Sequence, residues 1–192
     1  GLEKNPDVEQ FTVIYQISDM PVLFGEQEIA ANAFSVDSTF FKIFPYRVIA
    51  GSGRIVRPRD VVITRSFWMK KLGGKNAIGA TFKNTKGNKF TIVGVVDDPD
   101  TKTSWTPDIF MSNELDEFLF FDPIYAMLMA SDADIALLNK KYSKEHPRSK
   151  WSTYETVRYQ YLPLKDLYYD KDHGKENKNY QYGNQSYVRV LM

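Results

Sequence analysis

The 192-residue chain has no cysteine, which excludes disulfides and thiolate metal sites and fits either a reducing or an oxidising compartment. Its only histidines, His146 and His173, lie in polar segments without H-E-x-x-H spacing, so a metal centre is not expected. No apolar run approaches the roughly 18 residues of a membrane-spanning helix, and no basic start with an apolar core marks a signal peptide. Charge of one sign is also missing. The 25 basic and 24 acidic residues leave a net +1, without a block of five like charges. That argues against a nucleic-acid footprint, which needs a clustered basic excess. The phosphate-cradling G-x-x-x-x-G-K-[ST] pattern is absent, and "GSG" at 51–53 opens no predicted helix. There is no G-x-S-x-G elbow. No cofactor, no metal and no catalytic set is expected, so the protein reads as a non-enzyme.

Aromatics are abundant: 13 Phe, 12 Tyr and 3 Trp. With 43% hydrophobic and 26% charged residues, the composition is that of a folded protein. A chain this long hides roughly 70% of its unfolded surface, and many of these rings must go to the core. The C-terminal third, rich in Tyr and polar residues, cannot be buried throughout. Gly1 in place of Met suggests a piece excised from a longer protein.

The patterning favours short strands. "FTVIYQIS" (11–18) alternates apolar and polar residues, and "EIAANAFSV" (28–36), "YRVIAG" (46–51), "VVIT" (61–64) and "PDIFMS" (107–112) read as further strands. "AIGATFKN" and "KFTIVGVV" form a hairpin across "TKGN". Three helices are expected. One is "DSTFFKIFP", with Asp37 as cap, Phe40, Phe41 and Phe44 on one side, and Pro45 as stop. The second is "RSFWMKKLGG", with Ser66 as N-cap and Gly73 or Gly74 ending it. The third lies in "SDADIALLNKKYSKEHP" (131–147), capped by Ser131 or Asp132, with a stripe of Ile135, Leu138 and Tyr142 and Pro147 closing it. Residues 124–130 and "TVRYQYLPL" (156–164) complete the strands. Hairpins without a βαβ rhythm indicate α+β, with mixed or antiparallel sheets and a few short helices. The pattern suggests two small subdomains, with an insertion around 54–112.

"DDPD" (97–100) is the sharpest chemical candidate, since Asp97, Asp98 and Asp100 at a strand end could hold calcium or perform acid–base catalysis. The EF-hand spacing does not follow, and Asp before Pro is the usual chemistry of a turn. The pair turns the chain. A second candidate is an aromatic partner surface, with Trp105 of "SWTPDIF" and Phe118, Phe120, Phe121 and Tyr125 of "EFLFFDPIY" as contact residues. Core packing is the competing explanation for those rings.

The ordered series Phe40, Phe41, Phe44, Gly51, Val61 to Thr64, Ile78–Gly79 and Val93 to Pro99, within residues 34–100, resembles the MacB-like periplasmic core domain of FtsX-type ABC-transporter permeases. "PLKDLYYD" and "YGNQSYVRVLM" are similar to that family's exit segment, where a strand precedes the second transmembrane helix. The short helix departs from the family in its Phe67–Trp68 and Leu72–Gly73 pairs, and residues 113–160 match only loosely. The resemblance implies that residues 1–192 are one extracytoplasmic domain, set between two transmembrane helices on the periplasmic side of the cell inner membrane. It implies that a separate cytoplasmic ATPase powers the movement of a substrate or partner. It also implies a periplasmic adaptor, a lipoprotein or a second permease copy as partner. In the same comparison Gly94 permits close backbone packing within a sheet. The alternative is a glycan- or protein-binding module using Trp105, Trp151 and the Tyr-rich tail.

Overall fold

The computed structural model describes residues 5–99, 105–114, 123–130, 134–142, 146–147, 156–157 and 161–167. The first strand, β1 (Val8–Phe24), is 17 residues long, twice the stretch that alternation marks. Thr12, Ile14 and Gln16 are buried between the half-buried Phe11, Val13 and Tyr15. The register breaks between Ile17 and Met20, where Asp19 adopts φ +50° and absorbs a bulge. The strand turns at Gly25, φ +63°, into β2 (Gln27–Val36).

After β2 come α1 (Phe40–Ile43), β3 (Val48–Gly51), β4 (Asp60–Thr64), α2 (Arg65–Lys71), β5 (Thr81–Asn84), β6 (Lys89–Val96), β7 (Ile109–Ser112) and β8 (Pro123–Met129). Then follow α3 (Ile135–Tyr142), the two-residue strands β9 (His146–Pro147) and β10 (Thr156–Val157), and α4 (Leu164–Leu167). Strands β1 to β8 form one mixed sheet, in which β2–β7 and β4–β6 are parallel and the other pairs antiparallel. The fold is α+β, as the patterning indicates. The stretch 54–112 contributes β4, β5, β6 and β7 to this same sheet.

The pairings close on themselves. β1 joins β2, β2 joins β7, then β4, β6 and β5 follow, and β5 returns to β1 at Val22 and Leu23. Inside this ring sit Val22, Ile29, Val61, Ile63, Phe82, Phe90, Ile92, Ile109 and Met111, and Phe67 of α2 joins them. Phe82 and Phe90 face each other across the hairpin, stacked at 5.3 Å. Alternation sends the intervening residues outward, where Phe34, Val36, Val62 and Phe110 meet Phe40 of α1 and Trp105 in a second core. Each of these rings removed from water contributes roughly 2–3 kcal/mol.

Several local expectations are corrected. The N-cap of α2 is Thr64, whose side chain accepts from the Phe67 amide at 3.4 Å; Ser66 lies inside the helix. The Asp37 side chain caps no helical amide of α1. Its carboxylate accepts from the Thr39 and Val13 amides and from the Thr12 hydroxyl, tying the turn to β1. Helix α3 runs only from Ile135 to Tyr142, because His146 and Pro147 pair with Thr156 and Val157. Its proposed caps Ser131 and Asp132 lie outside the described residues, and Asp134 accepts from the Leu137 amide. In "TVRYQYLPL" only Thr156 and Val157 are strand among the described residues, and Leu164 opens α4. The "PLKDL" segment therefore turns helical, the Pro163 carbonyl accepting from the Asp166 amide at 2.9 Å.

Gly94 behaves as its packing role requires. A Cβ there would stand 1.6 Å from the Ser52 carbonyl oxygen, and one on its cross-strand partner Gly51 would stand 2.2 Å from the Val93 carbonyl. Both clashes are with backbone, which cannot rotate away. Gly94→Ala is expected to lower unfolding stability by at least about 2 kcal/mol, the scale of an overpacked core. Denaturant melting followed by circular dichroism checks this; a loss within 0.5 kcal/mol would contradict so close an approach.

Candidate functional site

The chain between α1 and β3 and the end of β6 border a cleft of about 360 Å³, lined by Phe44, Tyr46, Arg47, Asp97, Asp98 and Trp105 among others. Its aromatic floor follows from the second core. Phe40 stacks on Tyr46 and meets Phe44 at a tilt, and Tyr46 lies 5.1 Å from Phe110. Phe44 meets Trp105 edge-on at 5.4 Å.

The charged rim comes from the strand-end carboxylates. Asp97 pairs with Arg47 and, at 3.5 Å, with Arg65 of α2. Asp98 accepts from the Ser66 amide at 3.0 Å, in the first turn of α2. Asp97 and Asp98 do more than turn the chain: they fasten the end of β6 to α2 and to the segment before β3. Asp100 lies outside the described residues. No group of three His, Asp or Glu side chains suited to a metal exists among the described residues.

Three groups are shifted by this environment. The Arg47 hydrogen bond outweighs the opposing effect of burial and, with the charge of Arg47 and the hydrogen bond and charge of Arg65, holds the Asp97 carboxyl below its usual range. Burial pushes the Asp108 carboxyl up, although it accepts from the Asn32 amide at 2.9 Å. Burial, with help from the Asp98 charge, pushes the Tyr46 phenol to about 12.

The aromatic candidates separate. Trp105 is only 7% exposed and meets Phe34 at 5.8 Å, so apolar burial takes it from the surface into the core. Tyr125, on β8, is 37% exposed and stacks on Phe11 at 5.6 Å. Phe118, Phe120, Phe121 and Trp151 lie outside the described residues. Tyr46, Arg47 and Arg65 carry no signal in the sequence, because their partners sit far along the chain and leave no local signature.

The MacB-like periplasmic core domain family matches residues 2–142, and the chain belongs to it. Three solved structures share the fold. The periplasmic region of MacB from Actinobacillus actinomycetemcomitans superposes with a TM-score of 0.58 at 17% identity, covering 74% of this chain and 67% of that one. A domain described as that of a permease protein from Porphyromonas gingivalis gives 0.63 at 17% identity, over 73% and 70% of the two chains. The extracellular domain of the noncanonic ABC-type transporter YknZ from Gram-positive bacteria gives 0.55 at 15% identity, over 69% and 71%. No curated protein matches the chain. Membership places this chain with the periplasmic domains of MacB-like ABC transporter permeases.

Two titrations test the site. Asp97 has a depressed folded-state value, so its pairing stabilises the fold above the ordinary carboxylate value near 4 and is lost as pH falls through the folded value. Asp97→Asn is expected to flatten the acid limb of a stability–pH curve, and 1 M salt to reduce the difference, because the guanidinium of Arg47 is largely solvent-facing. Asp108 acts with the opposite sign and should be measured alongside as Asp108→Asn. At the alkaline end, unfolded Tyr46 ionises near 10 and folded Tyr46 near 12, so stability falls between those values. Tyr46→Phe should remove a loss on the order of 2 kcal/mol across that window. An unchanged alkaline limb would mean that the phenol is not shielded.

Proposed function

We propose that this domain is a non-catalytic lever of an ABC-transporter permease, coupling ATP hydrolysis by a separate cytoplasmic ATPase to movement of a substrate or partner outside the membrane. The domain is held at both ends by transmembrane helices of the cell inner membrane and works on the periplasmic side. Family membership over residues 2–142 carries this reading. The closed ring of strands supports it, since a sheet closed through β1 moves as one body. A periplasmic adaptor, a lipoprotein or a second permease copy is the partner class, with Tyr125 on β8 and Phe118, Phe120 and Phe121 before it as contact residues. The glycan-platform alternative loses support with Trp105 in the core.

The absence of cysteine from these 192 residues lets an introduced thiol mark this domain at a chosen position, once any cysteines of the flanking permease and the ATPase are replaced. A full-length permease with its ATPase, in nanodiscs, would carry a dye at Glu26→Cys, the exposed turn between β1 and β2. Energy transfer to a labelled lipid headgroup should differ between ATP-bound and nucleotide-free states. Transfer between Glu26→Cys and Lys86→Cys inside the domain should stay constant. An unchanged distance to the bilayer in all nucleotide states would remove the lever mechanism.

A further inference from the structure

The hairpin of β5 and β6 sets Lys83 directly opposite Lys89, with both side chains exposed on the outer face of the sheet. Their Cβ atoms are roughly 5 Å apart, and like charges so placed oppose folding. Lys86 occupies the turn between them. Arg59 reaches the same end of β6, its carbonyl accepting from the Thr91 amide at 2.9 Å and its guanidinium lying 5.7 Å above the Phe90 ring. Arg57 precedes it, beside Val56, which is 79% exposed. Two acids lie near. Asp60 is buried and accepts from the Arg57 amide, and Glu28 stands one strand beyond Lys83, across Leu23. No ion pair engages Lys83, Lys86, Lys89, Arg57 or Arg59 among the described residues. A chain with net charge +1 has gathered unneutralised cations at one hairpin.

We infer that this hairpin is a docking surface for an acidic face of a soluble extracytoplasmic protein. The charge says that the partner is anionic; position favours a protein over a lipid surface. Lys83 pairs with Leu23, close to the far end of β1, up to roughly 50 Å of extended chain from Val8. If the segment before Val8 leads to the membrane, as the lever reading has it, the patch faces away from the bilayer. The inference rests on that reading for this point alone. Paired lysines on the outer face of the sheet supply steering and orientation without a pocket, which suits a broad partner surface. The repulsion between Lys83 and Lys89 is then a stability cost retained for binding.

The test uses the 192-residue chain and a fluorescent ten-residue polyglutamate peptide as probe, read by anisotropy at several salt concentrations. Binding should weaken with salt, and Lys83→Glu/Lys86→Glu/Lys89→Glu should weaken it at least tenfold. Lys70→Glu/Lys71→Glu, on exposed positions of α2, should leave it within twofold. Lys89→Glu alone should raise the melting temperature while weakening binding, so lost binding is not mistaken for lost folding. Equal losses from the α2 and hairpin variants would overturn the inference, as would preferential hairpin-dependent binding to vesicles of phosphatidylglycerol and phosphatidylethanolamine. A static domain in the nanodisc experiment would defeat the lever and leave this peptide result standing.

Discussion

The structure depends on one strand bonding along both of its edges. β1 pairs with β2 on one side, and on the other with β8 along its first half and with β5 near its far end. The return to β5 converts an open sheet into a ring. A closed ring leaves fewer unpaired edges and defines an inside that alternation can fill with apolar side chains. The bulge at Asp19 makes this geometry available, because a strand of 17 residues without a break would have to bend some other way. The two glycines facing each other on β3 and β6 let Ser52 and Val93 approach at a distance that no side chain tolerates.

Much of this was legible in the sequence. Alternation located most strands; Gly87, at φ +79°, served the hairpin; and the Phe40, Phe41, Phe44 cluster was correctly seen as one apolar group. Gly94 was legible because a bare glycine inside "FTIVGVV" has few other uses. What escaped was set by distant partners. The length of β1 comes from three neighbours along it, whereas its own alternation fades after Ser18. The cap of α2 shifted to Thr64 because the last residue of a strand can cap the helix that follows it, and two hydroxyls in "TRS" look alike to a local rule. The sequence from 131 to 147 favours a longer helix than α3, because nothing local reveals that His146 and Pro147 pair with a strand. The same blindness applied to Asp97: its role is settled by Arg47 and Arg65, each more than 30 residues away.

The distinction between satisfied and unsatisfied charge separates architecture from recognition. At the cleft each carboxylate has a partner, Asp97 with two guanidiniums and Asp98 with a helix amide, and outside its lining Asp108 accepts from the Asn32 amide. Such groups hold elements in place, and the shifted protonation of Asp97 and Asp108 follows from that pairing and burial; a perturbed pKa marks a functional site only as one of two explanations. Tyr46 belongs with them, since its shift begins with burial among aromatic neighbours.

At the hairpin the logic inverts. Opposed lysines on adjacent strands bring no stability, and folding alone gives no reason for Lys83 and Lys89 to share a register position. In the docking inference, an acidic partner face relieves that local repulsion when it binds. The ring of strands makes that cost tolerable, because Phe82 and Phe90 stack on the inner face directly beneath and hold the hairpin closed against its own charge. The apolar interior and the charged exterior of these two strands are therefore one arrangement, in which burial on one face permits unneutralised charge on the other.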